Sequence, residues 1–267
     1  MKTVTSKDGT SIAYEKTGKG MAVILVDGAL CYRAHWRQGP LAAQLASHFT
    51  VYTYDRRGRG DSSDTQPYAV MREIEDIEAL IEEAGGSVYL YGISSGSVLA
   101  LKAAAQLGTT QVLKLALYEP PFNAEDDEAR QDFSRYKDQV TELLQANRRG
   151  DTVALFMGDL MPPEMIEEMR QSPEWSILES IAPTLAYDNA VMGDGAPPAD
   201  DARAATMPTL LSVGSNSPPF KHEAVQTLAK YMPDARQKTI EVQTQEFAPE
   251  APASALMEFF TSKPIAR

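Results

Sequence analysis

The chain has 267 residues, of which 43% are hydrophobic and 23% charged, with a formal net charge of −12 and one cysteine. That length suits one large domain, or one domain carrying an inserted subdomain. The acidic balance speaks against nucleic acid and anionic membrane surfaces as partners, and a lone cysteine excludes an internal disulfide.

Thr10 to Thr17 alternates in character after an Asp8-Gly9 turn, which predicts an N-terminal antiparallel hairpin. Met21 to Val26 is a continuous apolar run, as in a strand covered on both faces. A helix is expected from Trp36 to His48, then a strand over Phe49–Tyr54 and a loop from Asp55 to Ser62. Between Tyr68 and Ala84, Ile74, Ile77, Leu80 and Ile81 recur at helical spacing. A strand over Ser87–Tyr91 leads into Gly92-Ile-Ser-Ser-Gly96, and Ser97–Ala105 reads as a helix. Val112–Tyr118 is another strand, ending at Glu119-Pro-Pro121. Later come a strand at Pro208–Val213, a helix at His222–Tyr231, a strand at Gln237–Gln243 and a last helix near Pro252–Ser262.

Repeated strand–helix units of this kind predict an α/β fold with a mainly parallel, doubly wound sheet. Residues 122–205 break the rhythm: helix formers, methionines and acids dominate, with Pro162-Pro163 and Gly193–Pro198 as interruptions and no strand pattern. The expected organisation is a core of residues 1–121 and 206–267, with residues 122–205 as a helical cap over the sheet's carboxyl edge.

Strand, tight turn and helix are the context in which Gly-x-Ser-x-Gly carries chemistry. Its glycines permit the sharp turn, and Ser94 is left at a helix N-terminus, where free N–H groups favour an anion. A serine hydroxyl still needs a base to take its proton. Neither zinc-ligand spacing nor a calcium loop is present, nor a Walker-type phosphate loop, so neither a metal nor a cofactor is expected. No apolar run reaches the ~18 residues of a membrane span. Without a signal-peptide core at the N-terminus, the expected location is cytoplasmic.

Three motifs, in order, resemble the α/β-hydrolase fold superfamily: Val26-Asp-Gly-Ala-Leu30 as its oxyanion loop, Asp55-Arg-Arg-Gly-Arg-Gly-Asp-Ser62 as its Asp-x-Arg-Gly-x-Gly-x-Ser loop, and Gly92–Gly96 as its nucleophile elbow. The resemblance implies Ser94 as nucleophile and the backbone N–H groups of Ala29 and Ser95 as oxyanion hole. Many members carry the acid in a Gly-x-x-Asp pattern after the strand that follows the cap, and here that position holds Ser217. Haloalkane dehalogenases, among others, place it after the preceding strand, where Glu119 stands, either as the acid or as a carboxylate solvated or paired with an arginine. The family histidine falls between the last strand and the last helix. Residues 223–267 contain no histidine, and Gln245 occupies that position. An amide can hold hydrogen bonds there but cannot accept a proton near neutral pH.

Of the three histidines, His35 lies just past the oxyanion loop, as a surrogate base or a solvent-exposed residue, while His48 and His222 read as surface residues. Cys31 reads as packing. Arg56, Arg57 and Arg59 are expected to pair with nearby acids. Met157, Met161, Met165 and Met169 recur every four residues, as pocket lining or as cap packing whose register Pro162-Pro163 interrupts. The expected function is therefore an enzyme using Ser94, Glu119 and Gln245 with the Ala29 and Ser95 N–H groups on a small, apolar carbonyl compound, non-hydrolytically, as a lyase, cyclase or isomerase. Two alternatives stand beside it. One is a serine esterase or acyl hydrolase with a substitute base or a replaced histidine; the other is a binding protein without catalysis. A small-molecule ligand or substrate is the expected partner, and oligomeric state stays open.

Overall fold

A computed structural model describes residues 1–34, 38–122, 127–158, 160–241 and 251–262. Its strands are β1 (Lys2–Thr5), β2 (Ser11–Gly18), β3 (Ala22–Val26), β4 (Thr50–Tyr54), β5 (Val88–Ile93), β6 (Val112–Tyr118), β7 (Thr209–Gly214) and β8 (Ala235–Ile240). They form one sheet in the order β1-β2-β4-β3-β5-β6-β7-β8. The β1–β2 and β2–β4 pairs are antiparallel and all others parallel, so the expected hairpin leads into a doubly wound sheet.

β3 shows why its run is apolar throughout. Successive side chains point to opposite faces of a strand. Val23 and Leu25 pack with α1 (Gln38–Leu45) and α11 (Ala253–Thr261), while Ile24 and Val26 pack on the other face. That second layer holds α2 (Val70–Glu83), α3 (Ser95–Gln111) and α10 (Pro219–Tyr231). In α2 the four residues expected at helical spacing, Ile74, Ile77, Leu80 and Ile81, are all buried there. The outer strand β8 carries exposed Arg236, Gln237 and Lys238, charges and amides that discourage edge pairing.

Between β6 and β7 lie α4 (Asp127–Gln145), α5 (Arg149–Gly158), α6 (Pro163–Arg170), α7 (Pro173–Ile181), a 3-10 turn (Ala182–Thr184), α8 (Leu185–Met192) and α9 (Ala199–Ala204). Val140, Val153, Ile166, Trp175, Leu178 and Ile181 form a core of their own, which closes over Leu30 and Tyr32 of the loop after β3. Met157, Met161 and Met169 pack against that core, whereas Met165 is exposed. Pro162 and Pro163 start α6 anew, so the four methionines do not share a face. Val191 of α8 and Ala202 of α9 join the sheet's own core, so this end of the segment is fastened to the α3 layer.

One buried cation secures the last helix. The Lys114 ammonium donates hydrogen bonds to the carbonyl oxygens of Phe259 (2.8 Å), Phe260 (3.0 Å) and Ser262 (2.6 Å). These are C-terminal groups of α11, which a helix leaves without partners. Lys114→Met is predicted to lower stability by about 1–3 kcal/mol, the cost of leaving such groups unsatisfied. A thermal or denaturant melt checks this, and an unchanged midpoint rejects the clamp.

Candidate active site

Ser94 sits between β5 and α3 with φ 53° and ψ −131°, outside the regions that ordinary residues prefer. Its flanking glycines are required by close approach. A Cβ on Gly92 would lie 2.4 Å from the Gly96 carbonyl oxygen, and one on Gly96 would lie 2.4 Å from that of Asp27. The Ser94 N–H donates to the Tyr118 carbonyl (3.0 Å), and its own carbonyl accepts from the Ser97 N–H (2.8 Å) and the Ser97 hydroxyl (2.5 Å). Ser94 is half-buried, and no hydrogen bond holds its hydroxyl among the described residues. The loop after β3 lies against it: a Cβ on Gly28 would lie 3.2 Å from the Ser94 Cβ. Ala29 and Ser95 are thus brought beside Ser94, and neither N–H has an acceptor among the described residues.

Behind these loops is a buried ionic cluster that the sequence does not announce. Arg56 makes a two-pronged contact with Glu73 (both 2.7 Å) and donates to Asp188 Oδ1 (2.6 Å). Arg59 donates to Asp188 Oδ2 (2.6 Å) and to the Gly28 carbonyl (2.6 Å). The Ser95 hydroxyl donates to Asp188 Oδ1 (2.8 Å). Burial alone would raise the Asp188 pKa; the Arg56 and Arg59 charges outweigh it and hold the carboxyl below its usual value. Arg57 pairs with Asp76 (2.7 Å) and Asp8 (2.8 Å), so all three arginines pair with acids, as expected. Asp188 escaped the sequence reading because it is one acid among many in the helical segment, 132 positions from Arg56.

Glu119 follows β6 directly, beside the end of β5, where Ile93 and Tyr118 are register partners. Its carboxylate accepts from Lys221 Nζ (2.6 Å), the Gly214 N–H (3.2 Å) and the Ser217 hydroxyl. Burial by itself would raise its pKa; the Lys221 charge and these hydrogen bonds outweigh it and hold the carboxyl below the usual glutamate value. Ser217 therefore serves the neighbouring acid as a donor. The cation paired with Glu119 is a lysine, not an arginine. Gln245 and His35 lie outside the described residues. His48 is exposed, His222 is half-buried on α10, and no hydrogen bond joins either to Ser94 or Glu119 among the described residues. Cys31 is buried, with its thiol donating to the Ala29 carbonyl (3.2 Å). Among the described residues, no group of three or more His, Cys, Asp and Glu is placed to hold a metal ion, and no helix is long and apolar enough to cross a membrane.

Residues 23–251 match the model of the alpha/beta hydrolase family. The chain belongs to that family. An alpha/beta hydrolase from Sphaerobacter thermophilus, known from a crystal structure, is similar at 46% identity and a TM-score of 0.86, covering 97% of this chain and 100% of that one. An enol-lactonase from Burkholderia xenovorans shares the fold at 19% identity and a TM-score of 0.69, over 98% of this chain and 100% of that one. The uncharacterized hydrolase YraK of Bacillus subtilis is 32% identical over 97 residues, which span only 35% of either chain.

The Glu119–Lys221 pair carries a pH dependence. A carboxylate whose folded pKa is depressed stabilises the fold above its unfolded pKa, ~4.3 for glutamate, and loses that contribution as pH falls through the folded value. Asp188 contributes with the same sign. Glu119→Gln is predicted to be less stable than the parent chain at neutral pH and to lose less stability on acidification. Denaturant midpoints measured from about pH 6 down to about pH 3 check this, and parallel curves for the two chains refute it.

Proposed function

We propose that this chain is an α/β-hydrolase-fold enzyme that acts on a small, apolar carbonyl compound without the imidazole base of a serine hydrolase. The carbonyl oxygen lies between the N–H groups of Ala29 and Ser95, which stabilise the negative charge that develops on it. Ser94 contacts the reacting centre through its hydroxyl. Gln245 stands where the base is expected and takes no proton at neutral pH. Glu119 is held ionised by Lys221, with three hydrogen bonds spent, and is a poor base with a depressed pKa. Polarising a carbonyl or holding an enolate needs only the donors, so the reaction class is a lyase, cyclase or isomerase. The helical segment between β6 and β7 covers the site as a cap and, through Leu30 and Tyr32, gives it apolar walls.

One observation carries this reading. Four described non-glycine residues have positive φ, and three of them, Leu30 (54°), Ser94 (53°) and Glu119 (50°), immediately follow or lie just beyond the adjacent parallel strands β3, β5 and β6. Such conformations cost about 1–3 kcal/mol each and cluster where geometry serves chemistry. A fold retaining them for packing alone would gain nothing from the strain.

The test is fluorophosphonate labelling and p-nitrophenyl ester turnover by the parent chain and by Gln245→His. The parent is expected to be inert to the esters and the variant active. Parent turnover equal to the variant's makes the protein a serine esterase with another base. Labelling of neither chain rejects Ser94 as a reactive group and favours a binding protein.

A further inference from the structure

The peptide group is planar, so a carbonyl and the N–H of the following residue point in opposite directions from one rigid plate. The carbonyl of Gly28 and the N–H of Ala29 share such a plate, as do the carbonyl of Ser94 and the N–H of Ser95. Anchoring either carbonyl therefore aims the N–H across from it. Arg59 Nη1 holds the Gly28 carbonyl at 2.6 Å, and Ser97 holds the Ser94 carbonyl through both its N–H and its hydroxyl.

Asp188 connects the first anchor, Arg59, to the side chain of Ser95, whose N–H the second plate carries. One oxygen accepts from Arg59 Nη2 (2.6 Å), the other from the Ser95 hydroxyl (2.8 Å) and Arg56 Nη1 (2.6 Å). The carboxylate is 6% exposed and Arg59 is 1% exposed, so water does not compete for these contacts. Arg59 Nε also donates to the Thr184 hydroxyl (3.1 Å), just ahead of α8. The groups that hold Arg59 and the Ser95 hydroxyl, Thr184 and Asp188, thus come from the segment between β6 and β7, outside the loops that carry the N–H groups.

We infer that Asp188 is a positioning residue that aims the Ala29 and Ser95 N–H groups at one point in front of Ser94, coupling the helical segment to the oxyanion hole. The inference rests on the reading of those N–H groups given above and adds what controls them. A shift of α8 that draws Asp188 away releases Arg59 from its fixed place and lets the Gly28–Ala29 plate turn. The site is then assembled only while α8 is docked. This gives the segment a part in forming the site beyond enclosing it.

Asp188→Asn preserves the side chain's size and removes its charge; Arg59→Lys preserves a charge and removes the planar fork. Two measurements decide. The first is the backbone amide resonances of Ala29 and Ser95 in a 15N-resolved NMR spectrum. Both variants are expected to move the Ala29 resonance, although no hydrogen bond joins residue 188 to residue 29. A purely structural loss lowers the melting temperature and leaves that resonance in place. The second is affinity for an alkyl trifluoromethyl ketone, followed by 19F NMR. There the ketone binds as its hydrate, formed in solution by addition of water, with one geminal oxygen accepting from the two N–H groups; no bond to Ser94 forms and no proton leaves the serine. Asp188→Asn is expected to bind the ketone ~10–100-fold more weakly, since a ~1 Å misplacement of a contact can cost up to ~100-fold. Ser95→Ala, which removes one hydroxyl and keeps the N–H, is expected to weaken binding while leaving the Ala29 resonance unmoved. A folded Asp188→Asn chain with an unshifted Ala29 amide overturns the inference, as does one that binds the ketone as tightly as the parent. If the parent does not bind the ketone at all, the reading of the Ala29 and Ser95 N–H groups as oxyanion donors fails, and the amide resonances alone then decide whether Asp188 positions the plates. Should Asp188→Asn not fold, Arg59→Lys supplies the same readouts.

Discussion

The loops that flank Ser94 are joined to the helical segment by one buried carboxylate between two buried guanidinium groups. Arg56, Arg59, Glu73 and Asp188 together carry no net charge, and each is at most 6% exposed. Removing four charges from water is expensive, and ion pairs of this kind are no net source of stability relative to a well-packed apolar core. What they supply is direction. Guanidinium and carboxylate meet in fixed planar geometry, whereas methyl groups pack in many orientations. The cluster joins the loops after β3, β4 and β5 to α2 and α8, elements that come from distant parts of the chain. A misplaced loop leaves an unpaired charge in the interior, so wrong arrangements are excluded more sharply than contact area would exclude them.

The same region holds backbone strain. The glycines of the elbow allow its strand and helix to touch, since any Cβ on Gly92 or Gly96 meets backbone at 2.4 Å. Strain at Ser94 persists only because its surroundings over-determine it. Those surroundings are on both sides: hydrogen bonds from Ser97 to its carbonyl, the Tyr118 carbonyl on its N–H, and Asp188 on the hydroxyl of the next residue. The sheet contributes rigidity and the ionic cluster contributes aim.

Much of this was legible in residue order. The apolar run of β3, the helical period of α2 and the Gly-x-Ser-x-Gly turn are local patterns, and local geometry follows from them. β6 runs over Val112–Tyr118, the span expected from the sequence. Glu119 was nameable only through the resemblance, which puts an acid directly after this strand, and the arginines were nameable as partners of acids without it being evident which acids. Pairings between distant segments leave no such trace. Asp188 looks like any acid in an acidic helical segment, and Lys221 looks like a surface lysine on the first turn of α10. Period and spacing report which face of an element is buried, not what meets it across the fold. The methionines illustrate the converse: a regular spacing in sequence lost its meaning once Pro162 and Pro163 reset the helix.

Glu119 lies at the carboxyl end of β6, a central strand of the sheet. In a Ser–His–acid arrangement the carboxylate must keep an acceptor lone pair for the imidazole N–H. Glu119 offers about four lone-pair directions, and Lys221, Ser217 and the Gly214 N–H take three of them. The lysine also cancels the negative charge that would otherwise stabilise an imidazolium. Ser217 donates to Glu119 and helps keep it in place. The Glu119 carboxylate is thus balanced by a lysine from α10, and its position is fixed by donors from the end of β7 and the loop after it.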